Sequence, residues 1–104
     1  MTDTFQAIAD PSRRQILKLL SEGTKTMNGL VAHFKMSRPA VSKHVKVLYE
    51  AGMVAIQDEG RERKCSLREE GFSELRGWVD YYEQFWKAKM TKLDEVMSKA
   101  IGNP

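Results

Sequence analysis

The sequence predicts a mainly α chain with one small β-hairpin: a helix-turn-helix, then a hairpin wing, then a long C-terminal helix. Three observations carry this. Two short segments of helical period meet at Met36-Ser37. The apolar period then falls from 3.6 to 2 across Val54-Ala55-Ile56-Gln57. From Gly71 onward, apolar side chains recur every three or four residues as far as Ile101. Two short helices, a hairpin and a long helix are, in outline, a winged helix-turn-helix.

Each element has its own signals. Phe5, Ile8 and Ala9 mark a short amphipathic helix over about 3–9. Asp10-Pro11 reads as an N-cap with proline at the first helical position, where its missing N–H costs nothing. Ile16, Leu17, Leu19 and Leu20 extend that helix over 11–22, and Gly23 stops it. Thr26 caps a helix over about 27–34, whose apolar positions are Leu30, Val31 and Phe34. A three-residue turn then leads to Ser37, which caps a helix opening on Arg38, Pro39 and Ala40. Its inward stripe is Val41, Val45 and Leu48, and Gly52 ends it. The helix-turn-helix thus covers about 27–51. The wing covers about 53–68, with strands at 54–57 and 64–67 and a turn at Asp58-Glu59-Gly60-Arg61. In the last helix, about 71–101, Phe72, Leu75, Val79, Tyr82, Trp86, Met90, Leu93, Met97 and Ala100 form a heptad-like seam with one stutter. Trp78, Tyr81, Phe85 and Val96 widen it. That much apolar helix surface exceeds the needs of one small core and predicts a second copy of the same helix as partner.

Composition narrows the functional classes. A chain of 104 residues is expected to form a single domain, and 41% hydrophobic with 30% charged residues makes it globular. Cys65 is the only cysteine, so no internal disulfide can form, which suits a reducing, cytoplasmic setting. The opening MTDTFQAIAD lacks the apolar stretch of a secretory signal, and no apolar run approaches the ~18 residues of a membrane span. His33, His44 and Cys65 fall on separate elements, so no nucleophile–base pair or metal triad can be named. No glycine-rich phosphate loop is present either. The sequence does not read as an enzyme.

The charge distribution points to nucleic acid. No acid lies between Glu22 and Glu50, while Lys25, Lys35, Arg38, Lys43 and Lys46 all do, giving this segment +5 of a net +3 and leaving −2 to the rest. A recognition helix presents its first turns to base edges while flanking cations hold phosphates. Arg38, Pro39, Ser42, Lys43 and Lys46 fall on the exposed sides; Arg38 and Lys43 suit guanine O6 and N7, Ser42 either type of base, and Ser37 a phosphate. Arg61, Arg63 and Lys64 at the hairpin tip suit the DNA backbone or minor groove, diluted by Glu59 and Glu62. His44 has two readings, a surface histidine leaning on the preceding helix or a contact to DNA. Cys65 also has two, packing filler or a thiol switch near Arg63 and Lys64. An alternative remains for the whole chain: a protein-interaction module that uses the aromatic last helix and has only non-specific DNA affinity.

DPSRRQILKLL, then TMNGLVAHFKMSRPAVSKHVKVLYEAGMV, then EGRERKCSL resemble the ArsR/SmtB family of winged helix-turn-helix regulators over about residues 4–70. The resemblance implies a homodimer that binds an inverted-repeat operator in double-stranded DNA and represses transcription. It places the recognition helix at about Arg38–Ala51, favours a DNA contact for His44, and builds the dimer from the first and last helices. Phe5, Ile8, Trp78, Tyr82, Phe85, Trp86, Met90 and Leu93 are the expected interface residues. One metal site of that family uses a pair of cysteines where this chain has TMNGLV; another uses Asp and His ligands on the last helix, and 71–101 contains no histidine. Neither a metal nor another cofactor is therefore expected, and the inducer, if one exists, is not legible. The segment YYEQFWKAKMTKLDEVM resembles a branch found beside ligand-binding or stress-related genes rather than metal pumps.

Overall fold

The computed structural model describes residues 3–100; Ile101, expected at the end of the last helix, lies outside them. The elements are α1 (Thr4–Ala7), α2 (Pro11–Ser21), β1 (Lys25–Thr26), α3 (Met27–Val31), α4 (Arg38–Glu50), β2 (Val54–Glu59), β3 (Glu62–Leu67), a 3-10 turn (Glu69–Phe72) and α5 (Ser73–Ala100). Side-chain caps set every helix start before the wing. Asp3 accepts from the Gln6 N–H, Asp10 from Arg13, Thr26 from Gly29 and Ser37 from Ala40. Each satisfies one of the N–H groups that a helix start leaves without a partner.

Ile16, Leu30, Val41, Val45, Leu48, Met53, Val54 and Cys65 are almost wholly buried and form one core between α2, α3, α4 and the sheet. The stripe of α4 is the one its spacing predicts, so the opposite face is free. β2 and β3 pair from Val54↔Leu67 to Glu59↔Glu62, which shortens the expected turn to Gly60-Arg61. Gly60 has φ +62°, as the first position of some two-residue hairpin turns requires.

Further expectations need correction. The first helix, expected over about 3–9, spans only Thr4–Ala7, with Ile8 as its C-cap. The helix predicted over 27–34 ends at Val31, because the N–H groups of His33 and Phe34 turn back three residues, to Leu30 and Val31 (3.0 and 3.1 Å). The connection to α4 is therefore longer than three residues. Phe34 still packs on the core, which is why its spacing looked helical. The wing is not an isolated hairpin: Lys25↔Cys65 and Thr26↔Lys64 add β1, giving a sheet of order β1-β3-β2. Two residues carry no period to read. Finally, 71–72 belong to the 3-10 turn, and α5 proper begins at Ser73.

That turn is held by a close backbone approach. The Gly71 N–H donates to Gly52 O at 2.8 Å, and the Thr4 hydroxyl donates to Gly71 O at 3.1 Å. A Cβ on Gly71 would lie 2.5 Å from the Gly52 carbonyl carbon. Beyond this junction α5 leaves the body, and none of its residues is buried. The chain measures 67 × 27 × 20 Å with a radius of gyration of 19.4 Å, against about 13 Å for a compact chain of this length.

Candidate nucleic-acid interface

The free face of α4 carries Arg38, Pro39, Lys43 and Lys46, all exposed, with Ser42 half-buried between them. The Ser37 hydroxyl is engaged by the Ala40 N–H at 3.3 Å, and the Arg38 guanidinium donates to the Asn28 side-chain oxygen of α3. Lys43 and Lys46 have no ion pair among the described residues. Hydrogen-bonding side chains and cations without an ion pair among the described residues thus share one surface, which is what groove reading requires.

His44 leans on α2 rather than on α3. Its Nδ1 lies 3.9 Å from the Asp10 carboxylate and 3.4 Å from an Arg13 guanidinium nitrogen. Burial acts to raise the Asp10 carboxyl, but the Arg13 N–H and the neighbouring His44 and Arg13 charges outweigh it and hold that carboxyl below its ordinary value. Arg13 also donates to the Ala7 and Gln6 carbonyls at 2.6 and 3.1 Å, and Arg14 to Ile8 at 2.8 Å. α1, α2 and α4 are therefore tied at one point. Asp10 and Arg13 were legible as a helix start, yet nothing in their spacing linked them to His44.

The wing is electrically balanced. Arg63 pairs with Asp58 at 3.2 Å and Lys64 with Glu59 at 2.5 Å. The hydrogen bond to Glu59, with that group's charge, raises the Lys64 pKa. Arg61 is exposed, with no ion pair among the described residues. Cys65 is fully buried in β3, and burial pushes its thiol pKa up, against a smaller opposing effect of Arg63. That environment suits packing, not a thiolate switch. Among the described residues, no group of three His, Cys, Asp or Glu side chains is placed to hold a metal ion. No helix there is long and apolar enough to cross a membrane.

The expected interface residues divide between two elements. Phe5 of α1 and Ile8, its C-cap, are half-buried, and Phe5 meets Trp78 edge-on at 6.0 Å between ring centroids. On α5, Trp78, Tyr82, Phe85, Trp86, Met90 and Leu93 are all exposed, with Trp86 at 55%. Trp78 stacks towards Tyr82 at 4.9 Å, and Phe85 meets Trp86 at 5.4 Å. The two elements make one continuous aromatic surface.

Comparison with known proteins matches residues 10–55 to the family model "Bacterial regulatory protein, arsR family". The transcriptional repressor SdpR of Bacillus subtilis is 33% identical over 79 residues, which is 76% of this chain and 88% of that protein. The chain belongs to the arsR family. The regulator Rv2034 of Mycobacterium tuberculosis is 37% identical over 84% of this chain and 78% of its own. A solved structure of a possible transcriptional regulator for arsenical resistance is 40% identical and superposes with a TM-score of 0.73, covering 79% of this chain and 85% of the other. This ArsR-family chain is accordingly a DNA-binding regulator of transcription and not an enzyme. Its helix-turn-helix lies wholly inside the matched segment.

Proposed function

We propose that this protein is a homodimeric repressor that reads an inverted-repeat operator through α4 and the wing. The observation that carries the reading is the free face of α4, where every charge from Arg38 to Lys46 is positive, opposite a stripe whose Val41, Val45 and Leu48 are buried. Arg38, Pro39, Ser42 and Lys43 face base edges; Lys46, Arg61, Arg63, Lys64 and the Ser37 turn face phosphates. His44, turned towards Asp10, sets the orientation of α4 against α2.

The exposed seam of α5 with Phe5 and Ile8 supports a symmetric pairing of two copies. A two-fold axis then presents two recognition helices to half-sites about 34 Å apart on one side of the duplex. SdpR, a relative named as a repressor, supports repression over activation. The protein would act in the cytoplasm, where the DNA and a reduced Cys65 both belong.

The test pairs a gel-shift titration against DNA upstream of the protein's own gene with molar mass by light scattering. A dimer that protects a two-fold symmetric footprint is the expected result. A monomer, or a dimer that binds that fragment and random DNA equally, would sink the reading.

A further inference from the structure

A cleft of about 430 Å³ opens between α4 and the wing. Its floor is apolar, from Met27 and Ile56, and its walls carry Lys46 and Tyr49 of α4 opposite Arg63 of β3. One anion lies in it, the carboxylate of Asp58, 3.2 Å from Arg63 Nε. Asp58 reads from sequence only as part of the hairpin turn, and Tyr49 carries no charge to single it out.

We propose that this cleft seats one phosphodiester group of the DNA backbone, and that Asp58 stands in for that phosphate while the protein is free. The proposal rests on the reading of α4 as the recognition helix. Cations on both walls would neutralise an anion held between them, and a neutral group would leave Lys46 without a counter-charge. The Tyr49 hydroxyl adds a neutral donor on the side of α4. Carboxylate and phosphodiester each offer a guanidinium two acceptor oxygens, so one can replace the other on Arg63. The exchange is easy because the Arg63 and Asp58 side chains are 57% and 71% exposed, and exposed pairs hold little energy. When DNA arrives, Asp58 must give up Arg63 and then stands beside a phosphate of its own sign. Asp58 is therefore an internal competitor that lowers affinity for every duplex, whatever its sequence.

The consequence runs against the usual effect of changing a residue in a DNA-binding cleft: removing Asp58 tightens binding. Fluorescence anisotropy with a labelled mixed-sequence duplex of about 30 bp, over about 50–200 mM salt, tests it. Asp58→Asn should bind roughly three- to tenfold tighter at the lowest salt, with a log–log salt slope steeper by up to about 0.9 per phosphate gained. In an Arg63→Ala background most of that gain should vanish. Glu62→Gln removes an equal charge from the same hairpin without breaking an ion pair among the described residues, and should tighten binding by roughly twofold or less. Asp58→Ser is the second variant, and thermal unfolding checks that the hairpin survives in both. If both Asp58 variants bind no tighter with unchanged unfolding, the proposal is overturned. It is equally overturned if the gain persists without Arg63 or if Glu62→Gln matches it. A parent protein that bound no duplex would instead remove the DNA reading itself, and the proposal with it.

Discussion

At the scale of single residues, helix starts were legible and close approaches were not. Asp10, Thr26 and Ser37 announce their helices because a cap is a local device, readable within four residues of chain. Gly71 announces nothing, because its role comes from Gly52, brought against it by the whole fold. Its missing Cβ would lie 2.5 Å from one backbone atom of Gly52, 2.6 Å from another and 2.6 Å from Met53 Cγ, and the two backbone atoms cannot swing aside as a side chain can. Gly71→Ala should therefore destabilise the protein by about 1–3 kcal/mol, the usual range for overpacking. Gly77, on the exposed face of α5, would meet nothing within 4 Å. Gly77→Ala should stabilise by up to about 1 kcal/mol through helix propensity alone. Urea titrations of both variants decide this: a Gly71→Ala protein as stable as the parent would mean that the Gly52–Gly71 contact does not constrain the fold. Cys65 is a residue whose two sequence readings the packing separates. It is fully buried, with its thiol pKa raised by that burial. It should react with iodoacetamide only at the rate of unfolding, and urea should accelerate the reaction in step with loss of structure. Fast labelling of the folded protein would return the thiol-switch reading.

At the scale of elements, α4 was read almost to the residue, whereas α3 and β1 were not. A thirteen-residue helix offers its stripe three or four times over; the five residues of α3 offer it barely once, and Phe34 extended the apparent period beyond the true end. β1 exists only because β3 lies beside it. The wing shows a further limit of sequence reading, since counting its cations says nothing about which of them are already paired. That difference separates two kinds of substitution. Arg38→Ala and Ser42→Ala should narrow the gap between operator and random DNA, each by about 1–3 kcal/mol if the residue makes a good base contact. Arg61→Ala should instead weaken binding to all sequences and flatten the salt slope by up to about 0.9 per lost phosphate contact. Equal losses on both DNAs for all three variants would show that the reading face of α4 has been misassigned.

At the scale of the whole molecule, the decisive feature is apolar surface that the chain does not use on itself. The seam from Leu75 to Met97 was legible because a heptad pattern is long and repetitive. Its exposure had to come from the structure: Val79, Tyr82, Trp86, Met90, Leu93 and Met97 are between 40% and 56% exposed. A monomer rarely leaves a contiguous apolar face of this extent in water. Pairing two copies along α5 would cover it, and the Phe5–Trp78 contact would carry α1 into the same interface. Arg13 and Arg14 hold the end of α1 through three carbonyls, and Arg13 also reaches His44 of α4. In such a dimer, its geometry and the pose of α4 would thus be mechanically joined. Trp86→Lys or Tyr82→Glu would force a charge into a surface that must be dry in the dimer, at a cost of several kcal/mol for an unpaired buried ion. Either variant should run as a monomer at micromolar concentration. Because a monomer reaches only one half-site, specific DNA binding should disappear with the dimer, while weak salt-sensitive binding to random DNA persists. Sedimentation velocity and anisotropy on the same samples would show whether the losses coincide. If the charged variants stay dimeric, the two copies meet through another surface, and the exposed aromatics of α5 belong to a different partner.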